Sequence, residues 1–454
     1  MQEETLSEKL ARLTQEMAYS RLPSRVVRKV KYCILDLFGA YFAGYDLKSC
    51  DPVKAYIRSL NSPKQATVWG MKAQTSFIDA AFANSATSHL TVFDDMHAKT
   101  ASHYGSMVIP AAMAVGEHLR CSGKDLVLAI VAGYETAIRI GCAMVTPKFM
   151  LSGFRPSGTF GAFGSAMTAS KLFGSTPDQM AMAIGLAGNF GVGLMAFAEE
   201  GTDDLMYHNA LASRNGILAA ELAKYGATSP RRIFEIDGGF LQAYSGAIDA
   251  EEMVYPLKDH HKIEEVYFKS VPACAYVGST ARAALEIIQR WDFDVEDVKN
   301  IEVRIFPHGK DYPGLDYCGP FHGVMQAQMS NPFTIASILI RKRLQFEDFV
   351  NFRDPSVQSL AAKIQITEDA EATSRWPAEQ MSKIEIFLKD GSTRKATSTN
   401  PYFLNDDEVI EKCKTYLGRV LDASSCNRFI ESVLSIEKLE SINEVMRIVD
   451  EIRI

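Results

Sequence analysis

Apolar residues recur every three to four positions through most of the first 265 residues, the repeat of helices that each bury a face. Leu6, Leu10 and Leu13 begin it, and Val26 to Phe42 continues it. Segments 107–122, 124–145, 157–173, 177–196 and 205–225 are rich in Ala and apolar on most faces. Such helices must be covered by other helices, which predicts a multilayer helical domain with few strands. From Phe268 the pattern changes. Ala281 to Trp291 keeps the helical repeat, but Lys299–Phe306 and Lys383–Leu388 alternate polar and apolar as strands do. Asp390-Gly391 after the second run signals a hairpin leading into Thr393–Thr397. Asn405 then offers a helix N-cap, and the pattern is helical again through residue 450. These last helices have too little surface to fold alone and are expected to pack back on the first domain. The expectation is a mainly α chain in which 1–267 plus 404–454 form a multi-helix domain and 268–403 a smaller inserted α+β domain. No internal repeat or low-complexity linker interrupts it.

Composition narrows the classes. A chain of 454 residues, 47% hydrophobic and 23% charged, fits a globular enzyme-sized protein of about two domains. The net charge of −7 comes with no basic stripe, so nucleic acid is not an expected partner. Eight cysteines are scattered without a CxxC pair or zinc-site spacing, which reads as a reduced, cytoplasmic protein. The acidic, polar opening Met1–Thr5 lacks the basic and apolar regions of a signal peptide. The most apolar run, Val127 to Val145, is broken by Glu135 and Arg139 and reads as a core helix, so no membrane partner is expected either.

Titratable groups concentrate in Ser88-His89-Leu90-Thr91-Val92-Phe93-Asp94-Asp95-Met96-His97, followed by Lys99 and His103. An imidazole beside a carboxylate is held in one tautomer and tuned as a base or acid. A metal site is the rival reading, but no HxxxH or HExxH helix spacing is present, so acid/base use ranks above it. In Gly153–Gly164, glycines 158, 161 and 164 share one helix face and permit close packing. Arg155 stands just ahead of that helix, where a guanidinium and free N–H groups together hold an anion. Gly191–Ala196 superficially matches GxGxxA but follows no strand, which rejects a dinucleotide fingerprint. The acids of Glu199–Asp204 read as a solvated loop, and His208 behind them as a core histidine. Phe268–Tyr276 lies at the predicted domain junction, where pockets commonly form, and Cys274 has no evident partner base there.

These segments, in this order, resemble the MmgE/PrpD family. His89 to Asp95 is similar to its H-A-x-D-F-D-D, Gly153 to Gly164 to G-[FW]-H-P-T-x-T-x-G, and Gly201 to His208 to G-T-x-x-K-x-x-H. Phe268 to Cys274 is similar to F-K-x-x-P-x-C, and Ala327 to Phe333 to A-Q-F-S-x-P-Y. The resemblance implies a large helical domain with a smaller α+β lid, an active site between them, and a homodimer. It also exposes departures: Val92 replaces an Asp, Met96 a Thr, Arg155 a His, Leu205 a Lys and Phe333 a Tyr. Among the residues usually credited with catalysis only His103 matches, one residue further from Asp95 than in the pattern and followed by Tyr104 instead of Pro. Losing Lys and Tyr removes an ammonium and a weak acid, while Arg155 restores a fixed cation that is no acid at neutral pH. The expected function is therefore a lyase that needs no cofactor and performs dehydratase- or decarboxylase-like proton chemistry on a small carboxylic acid other than 2-methylcitrate or cis-aconitate. The alternatives are a carboxylate epimerase or isomerase, and a catalytically silent paralogue. His103, Asp95 and His97 are the catalytic candidates. Arg155, Lys99, Ser157, His208, Tyr276 and Lys269 are the candidates for binding substrate, with no metal ligand among them.

Overall fold

The computed structural model describes residues 3–245, 250–256 and 260–452. Helix Pro156–Leu172 sits at the centre, packed against helices Leu205–Lys224, Gly123–Met144 and Gly105–Leu119, with Phe77–Leu90 completing the stack. Small residues make this possible. A Cβ at Gly161 would lie 1.9 Å from Met107 Sδ, and one at Gly164 2.9 Å from the Gly133 carbonyl. Gly123–Met144 is long and apolar enough to cross a membrane, but it is almost wholly buried within the fold and carries an internal ion pair, Glu135 to Arg139 at 2.7 Å.

Helix Ser24–Gly44 packs on Phe77–Leu90 and on Asp406–Leu417. Asn405 caps the latter by accepting from the Asp407 and Glu408 N–H groups, while Glu408 bonds back to the Asn405 N–H. Val409, Cys413, Phe429 and Val445 thereby share one hydrophobic core with the first 268 residues.

A second core surrounds a four-stranded sheet. Val298–Ile305 lies between Ile364–Glu368, parallel to it, and Ser382–Leu388, antiparallel, with Thr393–Ser398 on the outer edge. Val298, Ile301, Val303 and Ile305 point inward, helix Gly278–Arg290 packs on the sheet, and Asn331–Arg341 packs on that helix. Strand Ile364–Glu368 is absent from the sequence reading because only its first residue is buried, so an edge strand there leaves no alternation to detect. In the first part, a short hairpin pairs Ala66–Val68 with Ala73–Thr75. The helix expected over 177–196 ends at Gly188, and residues 189–195 form a loop in which Gly193 takes φ +108°.

Val92, Phe197, Ala198 and Leu205 belong by sequence to the helical part yet pack in the second core. The segments 89–103 and 193–208 therefore form the seam between the two cores.

Candidate active site

The seam is shaped by one strained residue. Helix Phe77–Leu90 ends just before Val92, whose φ of +49° is rare for a β-branched residue. Its carbonyl is held by the Lys269 ammonium, which also donates to the Ala273 carbonyl. Gln328 donates to the carbonyls of Thr91 (2.6 Å) and Pro272 (2.8 Å), tying the same turn to the second domain.

Beyond that turn, Asp94 and Asp95 diverge. Asp94, fully buried, accepts from His89 Nδ1 at 3.0 and 3.2 Å. His103 Nδ1 lies 3.3 Å from Asp94 Oδ1, close enough for an ionic contact but without the alignment of a hydrogen bond. The two imidazoles meet edge to face at 4.9 Å. Burial by itself would raise the Asp94 carboxyl, but the two imidazoles outweigh it and hold it well below the usual carboxylate range. His89 is driven down to about 3, by burial first and by the Arg155 charge, against the pull of Asp94. It is neutral at physiological pH.

Arg155 closes the cluster. Its Nη2 is 2.6 Å from His89 Nε2, and its Nη1 donates to Asn209 Oδ1 at 2.6 Å and to the Leu205 carbonyl at 3.4 Å. Burial lowers the guanidinium to about 10, which leaves it charged at neutral pH. Of five N–H groups these contacts use three, so the Nε–H and one Nη2–H have no hydrogen-bond partner among the described residues. Ser157, at the start of the central helix, accepts from the His103 N–H at 3.1 Å.

The carboxylate that meets the imidazoles is thus Asp94, where the sequence pointed to Asp95. Asp95 faces the helical core, accepting from the Gly105 N–H (2.8 Å) and the Tyr134 hydroxyl (2.6 Å). A Cβ at Gly105 would stand 2.7 Å from it, so the chain closes around this carboxylate as a helix cap. His97 also turns away. Its Nδ1 meets Thr100 Oγ1 and its Nε2 meets Glu265, each at 2.8 Å, which places it in a separate network with Lys262 and His260. Lys99 is exposed and pairs with Glu252 at 3.3 Å, outside the cluster.

The remaining candidates line the seam. Lys269 is buried, and that burial lowers its ammonium to about 8 against the opposing pull of Cys274 and Asp94. With two carbonyls bound, it keeps one N–H to offer. His208 is half-buried 3.5 Å from Asp204, and its Nδ1 is buried without a hydrogen-bond partner among the described residues, so it is not the satisfied core histidine its helix suggested. Burial, then Arg155, lowers it to about 4. Tyr276 packs edge-on against Phe306, Tyr312 and Trp376, and burial raises its phenol. Tyr312 feels both Cys274 and Arg155, and its phenol is likewise raised by burial. Sequence reading missed Tyr312 and Asn209 because neither belongs to a local cluster: long-range packing alone brings them to Arg155. A narrow crevice of about 10 Å³ reaches Lys269 and Cys274 from between Tyr267, Tyr402 and Phe403.

His89, Asp94 and His103 offer one ligand atom each within 4.8 Å of one another, as do His97, Cys142 and Glu265. Both sets would serve a zinc-like ion by donor type. In the first, a guanidinium on the outer nitrogen of His89 supplies the charge that an ion would supply, which favours acid/base use of the trio.

Comparison with known proteins covers both parts of the chain. Residues 8–253 match the family model of the MmgE/PrpD N-terminal domain, and residues 271–438 that of the C-terminal domain. The chain is 25% identical to a cis-aconitate decarboxylase of Aspergillus terreus over 96% of its own length and 94% of the relative's. It is 26% identical to the cis-aconitate decarboxylase-like protein oryM of Aspergillus oryzae, over 98% of each chain. Against human cis-aconitate decarboxylase it is 25% identical over 96% of this chain and 92% of the other.

Proposed function

From the premise that the chain belongs to the MmgE/PrpD family, we propose that it is a lyase acting on a small carboxylic acid by proton transfer at a carbon beside the carboxylate. Both family models and decarboxylase relatives aligned along nearly the whole chain support the lyase class. The observation that carries the site is the convergence of His103, Asp94, His89 and Arg155 at the seam of the two cores.

In this reading the Asp94 charge, 3.3 Å away, draws the His103 proton to Nδ1, leaving Nε2 as the nitrogen that exchanges a proton with substrate. The free Nε–H and Nη2–H of Arg155 hold a substrate carboxylate and stabilise charge that develops on it. In an elimination, His103 removes the proton at carbon and the leaving hydroxyl departs as water with a proton from a second acid. In a decarboxylation, CO2 leaves and the same carbon takes its proton from protonated His103. Lys269, titrating near neutrality, and Tyr312, protonated throughout, are the candidates for the second acid. No step requires a cofactor.

Substrate charge is where this chain parts from its relatives. Cis-aconitate carries three carboxylates, whereas the seam here offers Arg155 and Lys269, the second already committed to two carbonyls. Leu205, buried beside Arg155, and Phe197, whose ring the guanidinium faces at 5.4 Å, line the rest with apolar surface. A substrate with one or two carboxylates and an apolar arm fits this lining.

The test is proton NMR in deuterated buffer, offering the protein cis-aconitate, 2-methylcitrate and a series of mono- and dicarboxylic hydroxy acids, with His103→Ala as control. Conversion or exchange of a mono- or dicarboxylate, lost in the control, supports the reading. Turnover of cis-aconitate at least as fast overturns the substrate assignment. Silence with every acid favours the non-catalytic paralogue, to which the replacements Leu205 and Phe333 also point.

A further inference from the structure

We infer that His89 is a positioning residue, locked by Arg155 into the tautomer that carries its proton on Nδ1, and that this lock sets His103 up as the base. The role rests on the proton-transfer reading given above, but the geometry that fixes the tautomer is independent of any substrate.

A guanidinium only donates, so Nη2 at 2.6 Å requires a lone pair on His89 Nε2. An ionised carboxylate only accepts, so Asp94 at 3.0 and 3.2 Å requires the proton on His89 Nδ1. The two demands agree. In the other tautomer an N–H would face the guanidinium and a lone pair would face the carboxylate, in a residue with no exposed surface. His89 therefore spends its one donor on Asp94 and keeps that carboxylate charged, and the charge, 3.3 Å from His103 Nδ1, draws that ring's proton to Nδ1 and frees its Nε2. A histidine at position 155, which the family resemblance expects, could donate or accept and would leave both tautomers of His89 open. Arginine removes the choice.

Arg155 is itself held in place by a polar frame. Asn209, fully buried, accepts from it at 2.6 Å and donates to Ser106 Oγ at 2.8 Å and to the His103 carbonyl at 3.4 Å. One amide thus ties the cation to the backbone of the base. The Leu205 carbonyl supplies the second anchor.

Long-range 1H–15N correlation of the imidazole rings in protein labelled at its nine histidines reads the tautomer directly, with the His89 signals identified by their loss in His89→Asn. The expected result is a neutral ring with its proton on Nδ1, and loss of that single state in Arg155→Met, checked for folding by circular dichroism. A proton on Nε2 in the wild type, or an unchanged ring in a folded Arg155→Met, overturns the assignment. If Arg155→Met does not fold, the wild-type spectrum still decides. Kinetics supplies the second readout. His89→Asn keeps a donor toward Asp94 and should stay within about tenfold of wild type, whereas His89→Leu should lose on the order of 10²-fold in kcat with KM little changed. Equal losses in both variants overturn the positioning role. A protein that turns over nothing but shows the Nδ1 proton would refute the enzyme reading and leave the lock standing.

Discussion

Replacing Asp94 by Asn is the sharpest test of the cluster, because it removes a charge and keeps the shape. The carboxylate touches His89 at 3.0 Å and His103 at 3.3 Å and has no exposed surface. Both rings approach the same oxygen, Oδ1, His89 at 3.0 Å and His103 at 3.3 Å, so an Asn oxygen placed there still accepts from His89 but no longer carries the charge that draws the His103 proton to Nδ1. Without that charge the His103 ring is free to carry its proton on Nε2, which blocks the basic nitrogen. A contact to a charged partner contributes about 1.5–3 kcal/mol, roughly ten- to a hundredfold in rate. Loss of a positioned general base costs on the order of 10²–10⁴-fold. We expect kcat/KM to fall by about 10³-fold, carried by kcat, with the circular dichroism spectrum unchanged. Stability should respond in a defined direction. A carboxyl whose folded pKa is depressed stabilises the fold above its unfolded value, about 3.9, and loses that contribution as pH falls through its folded value. Asp94→Asn should therefore be less stable than wild type at pH 7, and the gap in urea midpoints should narrow in acid. The assay is steady-state turnover of whichever acid the NMR screen identifies, beside urea denaturation. A folded Asp94→Asn protein that keeps more than a tenth of its activity would refute the relay, as would Asp95→Asn abolishing turnover while Asp94→Asn does not.

Three further outcomes are expected. Tyr134→Phe strips one donor from buried Asp95 and should cost about 1–3 kcal/mol in urea denaturation, with kcat/KM within a few-fold of wild type; a large loss of turnover without destabilisation would return Asp95 to the chemistry. Gly158→Ala puts a Cβ 1.9 Å from the Val192 carbonyl, so the 189–195 loop must move and the Arg155 N–H bond to Gly193 with it; a cost of about 1–3 kcal/mol and reduced turnover are expected, and an unchanged protein would show that the loop does not frame Arg155. Burial would raise the Glu265 carboxyl, but His97, Lys262 and His260 together hold it down to about 2. Its contribution to stability is thus present above about pH 4.3, the unfolded value, and lost as pH falls toward 2. Glu265→Gln should destabilise at pH 7 by on the order of 2 kcal/mol, a gap that closes between pH 4 and 2, and urea midpoints that differ equally at pH 7 and pH 3 would contradict it.

Much of the architecture is legible in the chain because its signals are local. The 3.6-residue repeat in 107–122, the glycine face at 158, 161 and 164, the Asn405 cap and the alternation in 299–306 each report an environment that neighbours in sequence share. The edge strand at 364 and the break after Gly188 are not legible, since one depends on a partner strand and the other on a backbone turn. The site divides along the same line. Sequence locates the dense segment 88–103 and singles out His103 and Arg155, but it cannot say which of two adjacent aspartates faces which side. That is settled by the left-handed turn at Val92, held from 177 residues away by Lys269, and by Tyr134 and Gly105, which claim Asp95.

The same long-range contacts bear on what the departures from the family pattern accomplish together. Leu205 in place of a lysine and Arg155 in place of a histidine read separately as one cation lost and one gained. In space they are a single change, because the Leu205 carbonyl is one of the acceptors that aim Arg155. A lysine side chain at 205 would bring a third cation to this seam, beside Arg155 and Lys269, where burial already lowers Arg155 to about 10 and Lys269 to about 8. Three cations so confined are tolerable only when a multiply charged substrate compensates them. Leucine beside arginine removes that demand, leaving a site that stays neutral enough to close over a less anionic acid while Asp94 balances the one guanidinium. Under the proposed function the charge of the substrate and the tautomer of His89 rest on the same pair of residues, and a Leu205→Lys variant should loosen the fold in the absence of ligand and be restored selectively by polycarboxylates. A thermal melt with and without tricarballylate reads this directly: stabilisation of Leu205→Lys but not of wild type is expected, and equal stabilisation of both would break the link between these positions and substrate charge.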